Sequence, residues 1–122
     1  DATVEAIEHV DTCLAKLEKA AFQSNALLLV TADHGNADEM AQLDKKTGGY
    51  KSTENGVRVV STSHSKNPVP FILIDPVHEW LLLGEPEKIS GGIAQIGATL
   101  LQACGLDVPD HYLPSLIKQS PQ

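Results

Sequence analysis

The sequence is short of aromatic residues, sulfur and basic charge. Aromatics make up 4% of its 122 residues, with one Met and two Cys. Two thiols, Cys13 and Cys104, far apart and each inside an apolar helical pattern, exclude the dense disulfide framework of a small secreted domain. They read most simply as buried free thiols in a reducing compartment, with a disulfide between them as the alternative, so a cytoplasmic protein is expected. Nine Lys and Arg face sixteen Asp and Glu, a net charge of −7. That balance argues against nucleic acid, whose binding needs clustered cations to displace counterions. It would also repel a phosphorylated substrate unless a metal or local basic residues intervened. No apolar run approaches the roughly 18 residues of a membrane helix, and no secretory leader is visible, so no membrane partner is expected. Repeats, low-complexity tracts and a Gly-rich phosphate loop are likewise missing. The first residue is Asp1, and an amphipathic pattern begins almost at once, which reads as a piece of a longer protein.

What remains suits one globular domain or part of one: 42% hydrophobic and 20% charged residues. The chain is organised around Leu27-Leu28-Leu29-Val30-Thr31-Ala32-Asp33-His34-Gly35-Asn36. Its continuous apolar run reads as a buried strand covered on both faces. Asp33 and His34 follow at the strand's C-terminal end, where open α/β sheets place their ligands. A carboxylate beside an imidazole offers an oxygen and a nitrogen donor, which suits Mn, Zn, Fe or Mg with help from elsewhere. The plain alternative makes Asp33 a cap and His34 a turn residue.

Ahead of the strand, Ile7, Val10, Leu14, Leu17 and Ala21 recur at three- and four-residue steps, predicting a helix from about Thr3 to Phe22. Acids lead it and Lys16 and Lys19 close it, in keeping with the helix dipole; His9 reads as solvated. After the strand, 37–43 predicts one or two helical turns with Met40 and Leu43 inward. Asn55-Gly56 predicts a two-residue hairpin turn, followed by a short edge strand. The connection from Gly35 to Ser63 is too long for a structureless loop and is expected to border the functional cleft. His64 lies in a polar stretch before a second strand, Val69 to Ile74, and is a candidate third ligand. Pro68 and Pro70 mark the chain's entry into the sheet. Trp80 to Gly84 reads as a short helix or covering loop, Glu87 to Gly92 as a turn. A helix of about a dozen residues should follow from Ile93, stopped by Gly105, with Gly97 packed on the sheet. A docked tail should fray after Lys118. Helix, strand, long connection, strand and helix in that order make an α/β chain.

The strand followed by Asp33-His34-Gly35-Asn36, then Thr62-Ser63-His64 and Asn67-Pro68-Val69-Pro70, resembles the C-terminal segment of cofactor-independent phosphoglycerate mutases, members of the alkaline phosphatase superfamily. The resemblance runs through almost the whole chain. Asp38-Glu39-Met40-Ala41-Gln42, Gly91-Gly92-Ile93-Ala94 and the ending 109–117 are similar to the plant and trypanosomatid branch. It implies that residues 1–122 are a C-terminal segment of the metal-binding domain, part of an α/β/α sandwich whose upstream remainder is absent. It further implies two divalent ions, manganese above all, with cobalt, magnesium or zinc as alternatives. Asp33 and His34 would bind one ion and His64 the other, and the substrates would be 2- and 3-phosphoglycerate. The family's serine nucleophile lies upstream. Ser61, Ser63 and Ser65 do not occupy the strand-to-helix position it needs, so the segment alone is expected to be inactive. It should require the missing N-terminal part, and an uncovered sheet could self-associate. The alternatives are another superfamily enzyme, such as a phosphopentomutase or phosphatase, or a non-catalytic interaction module.

Overall fold

The computed structural model describes residues 2–83 and 91–121. The first helix, α1, spans Ala2–Ser24. It ends in a Schellman turn: Asn25 takes a left-handed φ of 53°, and Ala26 N–H donates to the Ala21 carbonyl at 2.9 Å. No basic residue lies in the last turn, so Lys16 and Lys19 stop short of the dipole's negative end. Two four-residue strands follow, β1 (Leu28–Thr31) and β2 (Phe71–Ile74). They pair antiparallel, from Leu28 opposite Ile74 to Thr31 opposite Phe71. Within these residues β1 is half-buried rather than covered on both faces. It packs against α1 across a groove of about 420 Å³ lined by His9, Val10, Cys13, Leu14 and Leu17. The apolar stripe of α1 is therefore largely bare, with Val10 66% and Leu17 56% exposed; only Ala21 is buried.

The connection between β1 and β2 holds the first correction. Residues 37–43 form no helix, and Met40 and Leu43 are exposed. Their backbone groups bond instead to distant partners. Gln42 N–H donates to Val59 O, Lys51 N–H to Gln42 O, and Val59 N–H to Lys51 O, all within 2.9 Å. Three extended segments thus close a ring, each paired with the other two, and none is an edge strand. Cross-chain bonding has overridden a weak local helix pattern. The Asn55-Gly56 turn is present but takes a three-residue loop: Thr53 and Val57 flank it, and Gly56 has a φ of 77°.

The C-terminal part folds on itself. Strand β3 (Trp80–Leu82) replaces the expected helix or loop, and Asp75 ties down its entry, accepting from Val77 N–H and Trp80 N–H. It pairs antiparallel with β4 (Ile117–Gln119), so the tail up to Ser120 is held rather than frayed. The expected turn at 87–92 lies mostly outside the described residues. A 3₁₀ turn, Ile93–Gln95, leads into α2, Ile96–Ala103. A second Schellman turn at Gly105 (φ 68°) ends it, with Leu106 N–H donating to Leu101 O. Gly97 makes room for the Tyr112 ring, not the sheet; a Cβ there would stand 3.3 Å from it. Ala98, Thr99, Leu116 and Ile117 are buried here, with Thr99 at 0% and Ile117 at 1% exposure. Both cysteines are free and exposed, contrary to the buried thiols expected. No helix among the described residues is long and apolar enough to cross a membrane.

Candidate metal centre

The site forms where the β1–β2 ladder opens. Pairing runs to Thr31 opposite Phe71 and resumes as a single bridge, Gly35 opposite Ser65. Between those pairs one side has three residues (32–34) and the other five (66–70). The longer side carries Pro68 and Pro70, which have no N–H to donate. The mismatch pushes 66–70 outward, as an extended bulge does. A cavity of about 510 Å³ lies there, lined by Asp33, His34, Ser65, Lys66, Asn67 and Val69 among others. No residue from 35 to 64 lines it, His64 included, so the long connection does not border this cavity, contrary to expectation, and His64 meets the site only through its contact with His34.

The bridge also explains why His34 and His64 meet. With Gly35 opposite Ser65, His34 faces position 66, and His64 lies two residues away on the same face. Their rings stack with centroids 3.5 Å apart and planes 10° from parallel. His34 Nδ1 lies 3.1 Å from the Gly35 carbonyl. A carbonyl only accepts, so Nδ1 carries the hydrogen, and in the neutral ring Nε2 holds the lone pair. That Nε2 stands 3.6 Å from Asp33 Oδ1, with the carboxylate side chain 87% and the imidazole 35% exposed. Two electron-rich atoms so placed share no hydrogen bond. Donors about 2.1 Å from one cation at a near-tetrahedral angle stand roughly 3.4 Å apart, so the pair suits a shared divalent ion.

Asp33, His34 and His64, predicted from the sequence, are thus brought to one place. They do not make a complete ion cage: among the described residues no three His, Cys, Asp or Glu side chains converge on one ion position. Asp38, which sequence reasoning left unassigned, belongs to the same neighbourhood. Ser65 Oγ donates to its Oδ2 at 2.6 Å, and Asn67 Nδ2 donates to the same oxygen. The Ser65 hydrogen bond first, then that from Asn67, holds the Asp38 carboxyl below its ordinary range. Its place three residues after Gly35, in a run of small and acidic residues, gave no such signal.

The profile of the Metalloenzyme superfamily matches residues 1–108. The chain belongs to the Metalloenzyme superfamily. A superfamily member in Leptospira interrogans, named a probable 2,3-bisphosphoglycerate-independent phosphoglycerate mutase, is 45% identical over 96% of this chain. A tobacco (Nicotiana tabacum) protein of the same name, without "probable", is 35% identical over 96%. The crystal structure of Leishmania mexicana phosphoglycerate mutase at low cobalt concentration superposes with a TM-score of 0.82 at 38% identity, covering 98% of this chain. The likeness to plant and trypanosomatid sequences therefore holds, and it extends to a bacterial one. The fold is alkaline-phosphatase-like, here as helices with small antiparallel sheets. The chain spans about a fifth of these relatives: 21% of the Leptospira and tobacco proteins and 22% of the Leishmania chain.

Proposed function

We propose that residues 1–122 are the C-terminal part of the metal-binding domain of a cofactor-independent phosphoglycerate mutase. In this reading the whole enzyme interconverts 3- and 2-phosphoglycerate, a step of glycolysis. The observation that carries it is the meeting of Asp33, His34 and His64 from two loops, with Nε2 of His34 turned to the Asp33 carboxylate. Asp33 and His34 would hold one divalent ion and His64 would help hold a second. Manganese is the preferred ion by the family resemblance, with cobalt, magnesium or zinc as alternatives that carboxylate and imidazole donors also accept. Metal held by these residues would supply activation of the nucleophile and neutralisation of charge on the transferring phosphoryl group.

The chain's own residues orient and discriminate. The Gly35 carbonyl fixes the tautomer of His34. Among the described residues Lys66 is the one Lys or Arg lining the cavity, and it offers a counter-charge to an anionic substrate on an otherwise acidic protein. The nucleophilic serine and the remaining ligands would come from the larger part of the enzyme, which would also cover the bare stripe of α1. By itself the 122-residue chain is expected to self-associate through that stripe. Its two free thiols suit the cytoplasm.

Two measurements test this reading. The full-length gene product should interconvert the phosphoglycerates only with Mn²⁺ or Co²⁺ present, and the 122-residue chain should not. Calorimetric titration of the gene product with Mn²⁺ should show binding that Asp33→Ala, His34→Ala and His64→Ala each weaken. Equal binding by wild type and His34→Ala contradicts the ligand assignment.

A further inference from the structure

His64 makes no hydrogen bond of its own among the described residues; its ring is located only by its backbone and its stack on His34. Something else must fix that backbone. Three bonds cross between the two ligand-bearing loops directly beside the histidines. Ser65 N–H donates to Gly35 O at 2.8 Å, Ser65 Oγ donates to Asp38 Oδ2, and Asn67 Nδ2 donates to the same carboxylate oxygen. Ser65 Oγ also accepts from Asn67 N–H at 3.3 Å, so the hydroxyl is used in both directions. Ser65 is one of two buried polar residues among those described, the other being Thr99 in the C-terminal cluster. Gly35 completes the contact. A Cβ there would overlap Ser65 Oγ and stand 2.6 Å from Asp38 Oδ1. Its φ is not left-handed, so the glycine is needed for close approach, not for backbone freedom.

We propose that Gly35, Asp38, Ser65 and Asn67 form a clasp of positioning residues that sets the spacing between His34 and His64 and so tunes metal affinity. None of the four is among the proposed ligands. Charge-assisted bonds to a carboxylate are short and directional, which suits them to holding two loops in register. Groups that orient metal ligands typically alter metal affinity about 10–100-fold when removed. The proposal rests on His34 and His64 being ligands, and its test separates the two ideas.

Mn²⁺ binding to the full-length gene product is followed by electron paramagnetic resonance of the free ion. Ser65→Ala and Asp38→Ala are expected to weaken binding by about 10–100-fold, with the melting temperature of the metal-free protein close to wild type. Ser65→Thr, which keeps the hydroxyl, is expected to restore affinity. Asn67→Ala changes an exposed side chain, risks little in folding, and should show a smaller loss in the same direction. Wild-type affinity in Ser65→Ala, Asp38→Ala and Asn67→Ala, with binding lost in His34→Ala, would overturn the clasp and leave the ligands standing. Weakened binding that Ser65→Thr does not restore, alongside a lowered melting temperature, would reduce these residues to ordinary structure and also overturn it. Unchanged binding in His34→Ala would remove the ligand reading and the clasp together.

Discussion

The two ends of this chain differ in how much of their apolar surface they enclose. Around α2 and β4, Ala98, Thr99, Leu116 and Ile117 are all buried, and the one hydroxyl among them is fully employed. Thr99 Oγ1 donates to Gln95 O at 2.8 Å and accepts from Leu116 N–H at 3.0 Å. Helix α1 is longer and regularly amphipathic, yet Val4, Ile7, Val10 and Leu17 stay exposed. Local pattern decides that a helix forms; neighbours decide whether its stripe is covered. The comparison teaches that the C-terminal part encloses a small cluster among these residues, though Ile93, Leu100 and Leu106 stay exposed, whereas these residues leave nearly the whole stripe of α1 uncovered.

Mutations can break that contrast. Ile117→Ala should cost about 2–5 kcal/mol, since the side chain is wholly enclosed and its neighbours are tied by the β3–β4 pairing. Chemical denaturation followed by the single tryptophan, Trp80 on β3, would measure it; a cost near zero would mean the cluster is not a core. Leu17→Ser should cost about 1.5–3 kcal/mol in the full-length gene product if the rest of the enzyme covers α1. In the 122-residue chain, at a dilution where it is monomeric and Leu17 stays 56% exposed, the same change should stay within about 0.5 kcal/mol. Equal effects in both contexts would erase the difference between the two ends. Thr99→Val keeps the shape and leaves the Leu116 N–H buried without a partner, at about 1–3 kcal/mol.

The smallest expected effect is a pH dependence at the clasp. Asp38 has a folded-state pKa depressed chiefly by the Ser65 hydrogen bond. Its contribution is therefore present above the ordinary Asp pKa of about 3.9 and is lost as pH falls through the lower folded value. Amide exchange at Ser65 and Asn67 should rise in that acid window in wild type, and the pH step should vanish in Asp38→Asn. A step that survives in Asp38→Asn belongs to another group.

How much of this was legible in the sequence follows from the range of the interactions. Both helices, the Gly105 stop, and β1 and β2 are written in local spacing, and they appear within a few residues of where the pattern puts them. Asp33, His34 and His64 stood out because ligand chemistry is a property of residue type and of place at strand ends. The failures came where distant partners decide the outcome. Residues 37–43 have a helical pattern, but their backbone bonds go to 51, 59 and 61. Trp80–Leu82 became a strand because Ile117–Gln119 is there to pair with it. Asp38 looked like one more surface acid until Ser65 and Asn67 were seen to meet it across the open ladder. Exposure of Cys13 and of the α1 stripe could not be read from amphipathicity, which gives a face but not its cover.

The central claim is that Asp33, His34 and His64 ligate divalent ions. Anomalous diffraction from Mn²⁺-loaded crystals of the full-length gene product tests it most directly. The account predicts one peak within about 2.0–2.3 Å of both the Asp33 carboxylate and His34 Nε2, and a second at that distance from a ring nitrogen of His64. Ordered density for all three side chains with manganese bound elsewhere would contradict it.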